Sequence, residues 1–80
     1  MTVDEAIILY TREGCHLCEV AAQMLERAGI SVQEVDVDAD PELERQYGNR
    51  VPVLLRLDSG RQLFFPFGEE QVLSFIRRDR

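Results

Sequence analysis

The apolar residues change period within the first third of the chain, and that change restricts the folds open to it. Ala6-Ile7-Ile8-Leu9-Tyr10 is a short, unbroken apolar run rich in strand formers, stopped by a polar turn at residues 11–14. Such a run reads as a strand buried on both faces. From Leu17 onward the apolar positions are Leu17, Val20, Ala21, Met24, Leu25 and Ala28. That is the three-and-four spacing of one helix face, and Gly29 supplies a left-handed stop.

The rest of the chain continues the alternation. Residues 30–37 carry Ile30, Val32, Val35 and Val37 at alternate positions in two short stretches, which predicts a second strand nearer an edge. Asp40-Pro41-Glu42 predicts a helix start, because Asp caps free amides, Pro fits the first helical position and Glu suits the positive end of the dipole. That helix is short and ends near Tyr47-Gly48. Residues 51–57 read as a third strand, joined by the tight turn Asp58-Ser59-Gly60 to a fourth at 61–65. Pro66 ends it, and Gly68-Glu69-Glu70 opens a last helix with Val72, Leu73, Phe75 and Ile76 inward and Arg77, Arg78 and Arg80 at its negative end.

The expected order is β-α-β-α-β-β-α. A helix between the first two strands makes them parallel, and a tight turn makes the last two antiparallel. The expectation is an α/β fold, a four-stranded mixed sheet flanked by helices on both faces. At 80 residues the chain is expected to form a single domain, 1–80, because it is too short for a second core. With 45% hydrophobic and 30% charged residues it reads as globular, and its apolar runs are strand-sized rather than membrane-spanning. The start, M-T-V-D-E-A, has acids where a secretory signal carries basic residues, so a cytoplasmic location is expected. A net charge of −6 argues against nucleic acid or an anionic membrane as a partner.

Cys15 and Cys18 are the only cysteines, and they fall where the first strand gives way to the first helix. In a reducing compartment a close pair is more often catalytic or metal-binding than structural. The C-x-x-C spacing puts the first sulfur at the helix N-terminus, where dipole and free amides favour a thiolate, and the second one turn in. Cys15 is thus the expected nucleophile and Cys18 the resolving thiol. Arg12 and a protonated His16 would support a thiolate, whereas Glu13 and Glu19 oppose it. Pro52, in R-V-P-V-L, opens a later strand. Only proline forms a cis bond cheaply, and a cis bond presents the preceding backbone to an extended partner.

Together these residues resemble the glutaredoxin-like family of the thioredoxin superfamily from Ile7 to about Ile76. The shared stretches are Y-T-R-E-G-C-H-L-C at 10–18, V-D-V-D-A-D-P-E-L at 35–43 and R-V-P-V-L at 50–54. C-H-L-C itself is similar to a small bacterial subgroup. The resemblance implies a thioredoxin-like fold, Cys15 as nucleophile, Cys18 as resolving thiol and a cis Pro52 beside them. It also implies that Arg12 helps hold a carboxylate of glutathione, and that backbone groups of Val51 pair with the substrate like an added strand. Two departures stand out: Arg50 where glutaredoxins generally have Thr, and Phe65-Pro66-Phe67-Gly68 where they carry a Gly-Gly pair whose amides receive the γ-glutamyl carboxylate. Pro66 has no amide to donate, which argues against a normal glutathione pocket.

The expected function is therefore a thiol-disulfide oxidoreductase acting on a protein or low-molecular-weight disulfide. It would have no tightly bound cofactor, and glutathione is one candidate among reductant systems. Two readings from other classes stay open. One is a metal or iron-sulfur carrier through Cys15 and Cys18, with His16 as an added ligand and the remainder supplied from outside. The other is a redox-inactive module that binds protein through the same groove. For Phe64, Phe65 and Phe67, packing within the core and hairpin is expected.

Overall fold

The computed structural model describes residues 7–77. Four strands, β1 (Ile7–Thr11), β2 (Gln33–Asp36), β3 (Val53–Arg56) and β4 (Gln62–Phe64), form one sheet in the order β2-β1-β3-β4. β1 runs parallel to β2 and antiparallel to β3, and β3 is antiparallel to β4. The helices are α1 (His16–Arg27), α2 (Pro41–Tyr47) and α3 (Glu69–Ile76), with a 3-10 turn at Val37–Ala39. The mixed sheet and the order of elements agree with the expectation. Ala6, Arg78, Arg80 and the M-T-V-D-E-A start lie outside the described residues.

Strand alternation divides the interior into two layers. On one face, Leu9 and Leu54, which are register partners, pack with Ala21 and Leu25 of α1 and Val72 and Phe75 of α3. On the other, Tyr10 and Val53 pack with Val37 and Tyr47. The Tyr10 and Tyr47 rings stack 4.6 Å apart, an offset-stacking distance that joins α2 to the central strand. Gln62 donates to the Tyr47 hydroxyl at 2.6 Å, so the polar end of that ring is satisfied. Arg56, buried on β3, donates to the Phe75 carbonyl at 2.8 Å and is forked by Asp58. A buried cation is tolerated only when so paired, and this one ties the sheet to the end of α3.

The local signals act as expected in most places. Asp40 caps α2 by accepting from the Glu42 amide at 2.9 Å. Gly60, at φ +77°, closes the β3-β4 turn, a conformation that glycine adopts without steric cost.

Four expectations need correcting. The second strand is four residues rather than eight: residues 30–32 lie outside it, although Ile30 and Val32 still pack against the core. β3 begins at Val53 rather than at residue 51, because the Val51 amide donates to Tyr47 O at 3.1 Å instead of joining the ladder. The inward face of α1 is rotated from the expected one, with Cys18, Ala21 and Leu25 buried while Leu17 and Val20 are exposed. Leu73 likewise faces outward, since Val72 and Phe75 take the core positions of the short α3.

Candidate functional site

The two cysteines sit where β1 ends and α1 begins. Gly14, at φ +78°, turns the chain, and Cys15 takes the N-cap position of α1. Its Sγ accepts the Cys18 amide at 3.2 Å, satisfying one of the helix's unpaired N–H groups with sulfur in place of the usual side-chain oxygen. Both cysteines are free thiols, and their surroundings differ sharply. Cys15 is half-buried, whereas Cys18 is only 4% exposed.

Burial pushes the Cys18 thiol up to about 12, and its hydrogen bond with Cys15 and the negative charge of Glu34 act in the same direction. A backbone hydrogen bond at Arg12 opposes them without prevailing. Cys18 therefore holds its proton at neutral pH. At about pH 7.5, iodoacetamide is expected to place a single adduct on Cys15 of the native reduced protein, because alkylation needs an accessible thiolate. Modification of Cys18 appears only as the pH approaches 12 or the protein unfolds. Peptide mass mapping reads the site; a Cys18 adduct formed first would reverse the assignment.

A cleft of about 250 Å³ opens beside the thiols, and its rim includes Arg12, Glu13, Glu19 and Glu34. Glu34 is the member that no sequence pattern singles out. It arrives through the parallel pairing of β1 with β2, which sets Glu34 opposite Leu9 on the face that α1 covers. No local pattern specifies that register.

Arg12 lies on the cleft with its guanidinium already engaged. Nε donates to both Asp38 oxygens at 3.1 Å, Nη1 to Gly48 O at 2.8 Å and Nη2 to Glu44 Oε2 at 3.0 Å. The Asp38 hydrogen bonds foremost, with the charges of Asp38 and Glu44 beside them, raise its pKa. The side chain thus straps the turn before Cys15 to the 3-10 turn and α2, and an incoming carboxylate would compete with two resident ones. Glycine suits position 48, since a Cβ there would lie 2.5 Å from Glu44 O and 3.3 Å from Arg12 Nη1. His16 has an 84% exposed side chain, 3.9 Å from Glu19.

On the other side of the first turn of α1, a wider groove of about 640 Å³ lies between Leu17, Arg50, Val51, Phe64 and Pro66. The Val51-Pro52 bond is cis and Pro52 is fully buried. Val51 was expected to offer its backbone to a substrate, but its amide is spent on Tyr47 O, which leaves the carbonyl. Two amides of the 65–68 segment are committed as well: Phe65 N donates to Pro52 O at 3.3 Å and Gly68 N to Gln71 Oε1 at 2.8 Å. The phenylalanines divide. Phe67 is core, and Phe65 meets it edge-to-face at 5.2 Å, whereas Phe64 is exposed and lines the groove.

Among the described residues no group of three or more His, Cys, Asp or Glu side chains is placed to hold a metal ion. None of their helices is long and apolar enough to cross a membrane.

Residues 6–77 match the family described as Glutaredoxin-like domain (DUF836). A crystal structure of a structural-genomics target protein from X. campestris superposes with a TM-score of 0.80 at 39% identity, covering 89% of this chain and 95% of that one. A glutaredoxin from Pseudomonas aeruginosa is 34% identical over 44 residues, which make up 55% of this chain and 52% of that protein, so the match spans about half its length. The crystal structure of a glutaredoxin from Archaeoglobus fulgidus shares the fold, with a TM-score of 0.66 at 18% identity over 92% of this chain and 88% of its own.

Proposed function

The chain belongs to the glutaredoxin-like domain family, and from that premise we propose that Cys15 and Cys18 form a dithiol-disulfide couple that reduces disulfide substrates in a reducing compartment such as the cytoplasm. The observation that carries this reading is the asymmetry of the pair: an accessible sulfur at a helix N-cap, one turn from a buried, protonated one.

The Cys15 thiolate attacks one sulfur of the substrate disulfide, forming a mixed disulfide and releasing the other sulfur as a thiolate that takes up a proton. Cys18 then loses its proton and attacks the Cys15 sulfur, releasing the second substrate thiol and closing a Cys15-Cys18 disulfide. The substrate gains two electrons and the pair loses two. A thiol reductant, either glutathione or a reductase dithiol, returns them.

In this scheme the burial of Cys18 has a kinetic consequence. A high pKa makes the resolving thiol slow to ionise while the mixed disulfide stands, so the lifetime of that intermediate shortens as pH rises. Arg12 acts as a positioning residue, holding the turn that carries Cys15 through its ties to Asp38, Glu44 and Gly48.

Equilibration with graded thiol-disulfide buffers is expected to show a two-electron transition between about −300 and −120 mV, read as loss of both free thiols. No transition anywhere in that range would remove the reading. The metal-carrier alternative requires further ligands from outside the described residues, and stoichiometric zinc or an iron-sulfur chromophore in protein purified without oxygen would favour it.

A further inference from the structure

Leu17 and Phe64 are 47% and 36% exposed, and they face one groove beside the cysteine pair. The core positions nearby are held by Cys18, Ala21 and Leu25 of α1 and by Phe67, so both side chains stay at the surface. Arg50 stands at the same groove with its guanidinium 5.4 Å from the centre of the Phe64 ring. It is the only charged residue among those lining the groove, and no carboxylate of the described residues lies within ion-pair distance of it. The ring holds the cation in place without neutralising it. On the opposite side of the thiols the rim carries Glu13, Glu19 and Glu34, with Arg12 already neutralised by Asp38 and Glu44.

Leu17, between the two cysteines in the chain, thus opens on an apolar, cationic groove, while Cys15 and Cys18 themselves line the cleft with the acidic rim. We infer that this layout selects a polypeptide disulfide in which the half-cystine attacked by Cys15 is neighboured by an apolar side chain and a carboxylate. The apolar group enters between Leu17 and Phe64, and the carboxylate pairs with Arg50. Like-charge repulsion from Glu13, Glu19 and Glu34 keeps that carboxylate from the other side, so the same charges that attract the segment also fix its direction. A polypeptide suits the site better than glutathione. The groove has room for whole side chains, while the amides of Phe65 and Gly68 are already committed and Pro66 has none.

The inference rests on the redox reading above, and the test separates the two. Cys18→Ser protein is reacted with a pair of synthetic peptide disulfides that differ only beside the half-cystine, Leu-Glu in one and Ser-Lys in the other. Bis(2-hydroxyethyl) disulfide and glutathione disulfide are run alongside. The Leu-Glu peptide is expected to react at least about fivefold faster than the Ser-Lys peptide at low ionic strength, with the ratio shrinking as salt is added. Arg50→Glu in the same background is expected to shrink or invert the ratio, and Phe64→Ala to shrink it.

A ratio near one with ready reaction of bis(2-hydroxyethyl) disulfide overturns the selection and leaves the redox reading standing. Faster reaction with glutathione disulfide than with either peptide also overturns it. So does a dimer of the reduced protein that is lost on Leu17→Ala or Phe64→Ala, because the groove would then belong to a second copy. No reaction with any disulfide removes both readings together.

Discussion

Cys15→Ser is expected to abolish disulfide reduction, with turnover falling on the order of 10³-fold or more, to the background set by the reductant alone. Only a thiolate attacks a disulfide at a useful rate, and the remaining thiol, Cys18, is buried and pushed up to about 12, so it does not reach a substrate and is almost wholly protonated near neutrality. Cys18→Ser removes the second step and keeps the first. It is expected to accumulate mixed disulfides through Cys15, visible as a mass increase that vanishes on reduction. The two variants therefore fail in different ways. If Cys15→Ser protein traps partners and Cys18→Ser does not, the roles are reversed; if neither loses activity, the pair is not the reacting centre.

The second large effect concerns stability. Leu54 is fully buried in β3 and packs between the layers contributed by α1 and α3. Truncation to alanine removes three carbon atoms from a site hemmed in by a central strand, where relaxation is limited, and is expected to cost about 2–5 kcal/mol. A chain of this size has a total stability of roughly 4–12 kcal/mol, so Leu54→Ala consumes a large part of it. Leu57→Ala is the comparison. Its side chain, one residue beyond the strand, is 55% exposed, and its loss is expected to change stability by less than about 0.5 kcal/mol. Urea titration of both variants gives the two values. Equal costs would contradict the division between core and surface described above.

Much of the architecture is legible from short stretches of the chain. The solid apolar run before Thr11, the helical spacing after it, Asp40-Pro41 and Asp58-Ser59-Gly60 each specify a backbone event through residues close in sequence. Capping, fixed proline φ and glycine's freedom at positive φ are local effects, and the structure follows them to within a residue or two. The stretches that misled are those whose outcome depends on a partner. Residues 30–32 have the alternation of a strand but find only four paired positions available opposite β1, because parallel pairing begins at Gln33. Leu17 has the right spacing for the core face of α1 and yet lies at its edge, since the rotation of a helix is set by what packs against it.

The site divides in the same way. Cys15 and Cys18, their spacing and their place at a strand-helix junction are properties of ten consecutive residues, so the thiol pair is readable without coordinates. Their inequality is not, because it arises from the burial of Cys18 on the inward face of α1 and from Glu34, sixteen positions away from it in the chain. Arg12 could be named from its proximity to the cysteines, but its engagement by Asp38, Glu44 and Gly48 is a product of the β1-α2 approach. Nor could any local pattern bring Leu17, Arg50 and Phe64 to one groove. Effects carried by the backbone and its immediate neighbours act wherever the chain goes and can be read in one dimension. Burial, charge compensation and the shape of a groove depend on distances between residues far apart in sequence, and those distances exist only once the sheet register and helix packing are set.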